Sequence, residues 1–177
     1  MAIESRWSPI FQYEAGFLYW KIDANNNSAM KGDSAGFLSN PGDPECYVQV
    51  RHEGRAYQLS RIVWELHNGD IPDGIDVDHI DGNRLNNDIF NLRLATRSQN
   101  LQNRTKHVIG NSSHSVYKGV SKATGKRGWR AAIYPNGKTK WLGIFTTEIE
   151  AALAYDEAAR ELYGEFAKTN FVKKVSV

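Results

Sequence analysis

Short alternating apolar runs fill the first sixty residues, and none of them has the 3.6-residue spacing of a helix. Phe17-Leu18-Tyr19-Trp20, Tyr47 to Arg51 and Ala56 to Leu59 read as strands, with Glu53-Gly54 as the turn between the last two. The stretch from Asp23 to Pro44 predicts a mobile loop. Past it the period changes: Ile62, Val63 and Leu66 share a helix face, with Ser60 as the expected cap and Asn68-Gly69 as the stop. Farther on, Trp129 to Tyr134 and Lys138 to Phe145 flank Asn136-Gly137, which suits a type I′ hairpin because both central positions need positive φ. Pairing across a two-residue turn sets Tyr134 opposite Thr139, Ala132 opposite Trp141 and Arg130 opposite Gly143 on one face. Ile133, Ala131, Trp129, Leu142 and Ile144 then lie on the other. A third strand over Val116 to Ser121 precedes them. Thr147 and Glu150 form a capping box for a helix that Gly164 ends, and Ala151, Ala152, Ala154, Ala158 and Ala159 let that helix lie close against the second face.

The chain's 177 residues suffice for one ordinary domain or two small ones. Lys106 to Ser115 has no apolar periodicity and reads as a linker, so two units are expected: 1–107, a linker at 108–114, and 115–174. Hydrophobic residues at 41% and charged residues at 24% argue against wholesale disorder. No apolar run approaches the roughly 20 residues of a membrane helix, and the N-terminus lacks a signal-peptide stretch, so the expected setting is the cytoplasm, with no membrane partner. The single cysteine, Cys46, excludes an intramolecular disulfide and any zinc site built on two thiolates.

Charge changes the picture more than composition does. The net of +2 hides two halves of opposite sign: residues 1–105 carry ten basic against fourteen acidic side chains, and residues 106–177 carry twelve against six. Between 106 and 140 stand Lys106, Lys118, Lys122, Lys126, Arg127, Arg130, Lys138 and Lys140 with no acidic residue. That is the footprint of a polyanion-binding face. Arg130, Trp141 and Tyr134 fall on the outer sheet face, close to Lys118, and a shallow basic sheet bearing aromatics can enter a DNA groove. A protein-binding sheet is the alternative.

Tyr117-Lys118-Gly119-Val120, Trp129, Trp141-Leu142-Gly143-Ile144-Phe145, Glu150 to Asp156 and Asn170-Phe171 fall in the order of the plant ethylene-response (APETALA-two) DNA-binding domain, which residues 115–172 resemble. The resemblance implies a three-stranded sheet that reads the major groove of double-stranded DNA with the face opposite its helix, and Lys118 and Trp141 match such positions. Ser121, Ala132, Tyr134 and Thr139 depart from the Arg or Glu common in the family, so the plant target sequence does not carry over.

The segment from Asp76 to Asn103 is the richest in chemistry. Asp78 and His79 end an extended run, so their side chains diverge, which suits a metal ligand and a base on different sides of a substrate. In-line displacement at phosphorus asks for that: a base for the attacking water and a cation for the leaving oxygen. His79 titrates in the right range for the base. Thr96 and Gln99 form another capping box, which places Asn100 on the first turn of a helix where its amide oxygen can join the Asp78 carboxylate. Two hard oxygen ligands favour Mg²⁺ or Mn²⁺ over zinc. Asn91 is placed to hold the imidazole, and Arg93, Arg97 and Arg104 add positive charge near the scissile phosphate. Asn83, Asn86 and Asn87 read as turn-makers.

Asp78-His79-Ile80-Asp81-Gly82-Asn83, Asn91-Leu92-Arg93 and Gln99-Asn100 resemble the HNH endonucleases of the ββα-metal type, especially the phage and intron-encoded homing enzymes, and the similarity extends upstream through Arg61-Ile62-Val63-Trp64. The resemblance implies Asp78 and Asn100 as the metal pair, His79 as general base and Asn91 as its orienting partner, on a ββα-metal motif over about 74–104. Ser60 stands where many relatives have a His, and the Cys-based structural zinc of some relatives is absent.

The expected fold class is α+β: an N-terminal mixed unit containing the ββα-metal motif, then a small three-stranded antiparallel sheet packed on one helix. The expected function is a metal-dependent, site-preferring DNA endonuclease of homing type that nicks one strand, with the basic unit supplying the attraction that an acidic catalytic unit lacks. One active site makes a monomer the simpler state, and a dimer would restore two cuts. The alternative is a DNA-binding regulator with an inert HNH unit; an RNA-binding sheet is a third reading.

Overall fold

The computed structural model describes residues 5–24, 29–43, 45–103, 115–125 and 127–172. The linker expected at 108–114, with Arg104 and Lys126, lies outside the described residues. The chain is mixed α+β and divides into two compact units, Met1–Arg97 and Ser98–Val177. The division falls ten residues before the sequence-based boundary and assigns most of one short helix to the second unit.

In the first unit β1 (Phe11–Glu14) and β2 (Phe17–Trp20) form a hairpin. The stretch expected to be a loop contributes β3 (Ser34–Ala35), which pairs with β2, and β4 (Phe37–Leu38), which pairs with β5 (Val48–His52). Pattern alone hides such two-residue strands, because their partners lie far away in sequence. At Gly36, between β3 and β4, φ is +137°, and a Cβ there would stand 2.8 Å from Val48 Cγ1. β5 and β6 (Arg55–Gln58) are joined by Glu53-Gly54, both at positive φ, so the expected two-residue turn forms.

Helix α1 (Leu59–Asn68) begins two residues earlier than Ser60 would allow as a cap. Its N-cap is Gln58, with no side-chain hydrogen bond, and Ser60 is buried in the first turn. Leu59, Ile62 and Val63 pack with Trp7, Phe11, Leu18, Trp20 and Val50 into the core, which also takes Val77 and Leu92. Buried Glu65 accepts 2.7 Å from Trp7 Nε1 and is paired with Arg6 at 3.1 Å, so its charge has partners. From α1, Arg61 donates to the Ile75 carbonyl at 3.3 Å and ties the helix to β7 (Ile75–His79). β7 pairs antiparallel with β8 (Leu92–Thr96), and α2 (Arg97–Asn103) follows at once.

The second unit holds β9 (Val120–Lys122), β10 (Trp129–Ile133) and β11 (Lys140–Phe145) in the order β11-β10-β9, with α3 (Glu148–Tyr163) packed on the sheet. The capping box is present: Thr147 Oγ1 accepts from Glu150 N at 3.2 Å, and Glu150 Oε2 accepts from Thr147 N at 3.1 Å. Ala151, Ala152, Ala158 and Ala159 are buried against Val120, Ala131 and Ile133 in two adjoining clusters.

The hairpin departs from its expected form. Pro135, with its fixed φ, starts a turn of 3₁₀ helix over Pro135–Gly137 in place of a type I′ turn. Ala132 still faces Trp141, but the register then slips, so Ala131 faces Gly143 and Arg130 faces Ile144. Leu142 is the extra residue of this bulge, and Gly143 takes φ +138° beside it. The slip turns Ile144 outward, 46% exposed, and sends Phe145 to the helix side.

Close packing fixes the start of this unit. Asn170 bonds both the amide and the carbonyl of Lys118, at 2.6 and 3.1 Å, and is itself held by buried Asp156, which also accepts from Phe171 N at 2.8 Å. Gly119 then passes so near α3 that a Cβ would fall 1.9 Å from the Tyr155 ring, and its φ is +76°. Gly119→Ala is expected to destabilise this unit by about 2–4 kcal/mol through clash and left-handed strain together, read as a drop in melting temperature.

Candidate active site

The β7–β8 register sets Asp78 opposite Arg93 and His79 opposite Leu92, so consecutive polar side chains leave the strand on opposite faces. Both are buried, Asp78 at 5% and His79 at 4% exposure, which demands partners. Asp78 has one in Arg93: Nε donates to Oδ2 at 2.9 Å and Nη2 lies 2.9 Å from the same oxygen. Arg93, expected to face a phosphate, is thus drawn onto the carboxylate across the strand pair.

His79 Nε2 lies 3.1 Å from Asn87 Oδ1. The Asn87 amide is oriented by its own Nδ2, which donates to the Leu85 carbonyl at 3.2 Å, so its oxygen faces the ring. That fixes the tautomer, with the proton on Nε2 and the basic lone pair on Nδ1. Burial is the largest influence on this imidazole and lowers its pKa from the ordinary 6.5; the bond to Asn87 and the charges of Asp81 and Asp78 oppose the shift, and Arg84 adds to it. The ring is neutral at neutral pH and competent as a base.

The expected partner, Asn91, does something else. Its Nδ2 donates to Asp81 Oδ1 at 3.0 Å and to the Asn86 carbonyl at 2.8 Å, while its Oδ1 accepts from Asp81 N at 3.1 Å. Its side chain is used up in closing the loop between β7 and β8, and so Asn87 takes the role foreseen for it. Asp81 is the hub of that loop, accepting also from Asn83 N at 2.7 Å and Asn86 Nδ2 at 2.8 Å. Burial pushes the Asp81 carboxyl up, and the bonds from Asn86, Asn83 and Asn91 outweigh it, so its pKa lies below the ordinary value. Asn83 and Asn86 are turn-makers, as expected, with Asn83 Oδ1 accepting from Leu85 N at 3.1 Å.

Two further residues border the imidazole without any sequence signal. The Tyr47 ring is 6.5 Å from that of His79, and Arg84 lies 4.5 Å over Tyr47 while paired with Glu45. Asn87 was equally illegible, since nothing in the pattern separates it from its neighbouring asparagines. Replacing Asn87 with Leu removes the acceptor that supports the protonated ring. The His79 titration, followed by NMR, is then expected to fall further below 6.5 than in the wild type.

Of the remaining predicted residues, Arg97 is exposed at the start of α2 and Asn100 is half-buried on it. In the second unit Lys122, Arg127, Lys138 and Lys140 are exposed. Arg130 lies 5.1 Å over the Trp141 ring, and Trp141 and Tyr134 are 63% and 64% exposed, so the basic aromatic face exists on the sheet. Lys118 departs from expectation: its Nζ is turned to the Gln102 carbonyl at 2.6 Å, beside a cavity of about 420 Å³ lined in part by Tyr134, Tyr155 and Tyr163. Burial and the nearby Lys168 lower its pKa to about 8.

No helix among the described residues is long and apolar enough to cross a membrane. The family model for HNH endonucleases matches residues 57–102, from β6 through α2. The chain is 43% identical over 135 residues to the "Uncharacterized HNH endonuclease L560" of Acanthamoeba polyphaga mimivirus, covering 76% of this chain and 65% of that protein. It is 36% identical over 107 residues to "Protein 3.8" of Escherichia phage T7, covering 60% of this chain and 84% of that protein. A 62-residue segment, 34% of this chain, is 50% identical to 22% of "Dehydration-responsive element-binding protein 2A" of Oryza sativa subsp. indica. No solved structure matches.

Proposed function

Residues 57–102 match the family model for HNH endonucleases, and over 135 residues the chain is 43% identical to a mimivirus protein named as an HNH endonuclease; on that likeness we propose that it is a metal-dependent endonuclease that nicks double-stranded DNA at preferred sites. The observation that carries this reading is the His79 imidazole, neutral through burial and held by Asn87 with its basic nitrogen at Nδ1, next in sequence to a buried carboxylate. Nδ1 takes the proton of the attacking water; the water oxygen bonds to phosphorus, the bond to the 3′ oxygen breaks, and that oxygen takes a proton from solvent water, leaving a 5′-phosphate and a 3′-hydroxyl. Asn87 keeps the ring from turning and supports the imidazolium that results.

Asp78 and Asn100 fit a divalent cation by their chemistry, since both offer hard oxygens. No group of three His, Cys, Asp or Glu side chains is arranged for a metal among the described residues; a cation held by Asp78 and Asn100 would draw its further ligands from water and phosphate. The cation, Mg²⁺ or Mn²⁺, would stabilise charge on the leaving oxygen. Asn91 and Asp81 hold the loop that carries Asn87, and so act on the imidazole through it.

The second unit serves as the DNA-holding part, with a sheet like that of the ethylene-response (APETALA-two) domain. Lys122, Arg127, Lys138 and Lys140 meet phosphates, while Arg130, Trp141 and Tyr134 face the groove. Homing-type action as a monomer in the host cell's cytoplasm completes the reading. The test is to incubate supercoiled DNA from the native source with the chain and Mg²⁺ or a chelator. Nicked circles that vanish with chelator are expected; no cleavage by folded, DNA-binding protein would favour the inert regulator.

A further inference from the structure

We propose that Arg93 is a resident counter-cation on the Asp78 carboxylate, so that the DNA-free protein takes up divalent cation weakly and DNA and metal each strengthen the binding of the other. The inference rests on the nuclease reading above and adds the condition under which its site is loaded.

The two residues face each other across β7 and β8, and their side chains are 12% and 6% exposed, Arg93 and Asp78 respectively. Both guanidinium nitrogens that approach Asp78 do so at one oxygen, Oδ2, each at 2.9 Å. A guanidinium does not lose its proton in a protein, so this positive charge is permanent. The neighbouring carboxylate, Asp81, is no alternative seat for it, being committed to Asn83, Asn86 and Asn91.

A dication arriving at Asp78 therefore meets a carboxylate already compensated and a fixed like charge beside it. A phosphodiester relieves this. Its non-bridging oxygens match the guanidinium fork and carry the negative charge that Arg93 would otherwise seek from Asp78. Arg93 turned toward phosphate leaves Asp78 to the cation, and the coupling is reciprocal by linkage. A phosphate shared with the cation would couple the two ligands by itself, so the part that belongs to Arg93 is the coupling that its removal takes away.

The test uses the full chain without DNA, titrated with Mn²⁺ by calorimetry. Arg93→Gln is expected to bind Mn²⁺ about tenfold tighter or more than the wild type, and the site should disappear in Asp78→Asn. Arg93→Met, of similar length, stands in if the glutamine variant does not fold. Folded variants that bind no tighter than the wild type overturn the proposal. On a His79→Ala background that slows nicking about a thousandfold, saturating Mn²⁺ should raise affinity for a short duplex by a factor about tenfold larger with Arg93 intact than in Arg93→Gln. An equal gain in the two proteins overturns it as well. Metal-dependent nicking by the wild type together with either of those results sinks the role of Arg93 alone, whereas absence of nicking removes the site on which it rests.

Discussion

His79→Ala is expected to lose about a thousandfold in single-turnover nicking rate while binding DNA as the wild type does, because a positioned general base contributes on that order. The substitution removes the proton acceptor and nothing that attracts phosphate. The pH dependence carries a sign of its own. Burial lowers the His79 pKa from 6.5, so the neutral, base-competent ring persists to lower pH than a free imidazole would allow. The acid limb of the wild-type rate should accordingly fall below pH 6.5, and a limb at or above that value would contradict the geometry. Stability moves in the same direction. The unfolded chain takes up its proton near 6.5 and the folded chain only lower, so the fold loses stability as pH drops from 6.5 through the folded pKa. His79→Ala should flatten that part of the curve, read from melting temperatures across the range.

The same residues show where sequence reading succeeds and where it stops. Local signals with one physical meaning were legible: the Thr147 and Glu150 capping box, the Glu53-Gly54 turn, the alanine face of α3, and the placement of Asp78 and His79 at the end of a strand. What failed depended on choices between similar groups at a distance. Six asparagines crowd residues 83 to 103, and which of them meets His79 is decided by how Asp81 folds the loop, a competition that spacing does not express. Arg93 and Asp78 stand fifteen residues apart, and their pairing follows from strand register. The hairpin teaches a related point: Asn136-Gly137 signals a tight turn, but Pro135 before it imposes another geometry, and one bulged residue moves Ile144 to the opposite face.

Replacing Lys122, Arg127, Lys138 and Lys140 together by Gln should weaken duplex binding strongly and flatten its dependence on salt. All four are exposed in the second unit, so the change removes charge without removing buried contacts. Each phosphate neutralised contributes about 0.9 to the slope of log affinity against log salt, so four lost contacts lower the slope by about 3 to 4. Over a fourfold rise in salt, the wild type should then lose about 100-fold more affinity than the variant does. Arg130 and Trp141 are left in place, because their stacked pair on the sheet bears on groove contact and on preference among sequences. Binding measured over a salt series on one native and one unrelated duplex separates the two contributions. The charge variant should weaken on both by similar factors, whereas an unchanged slope would place the phosphate contacts outside this sheet.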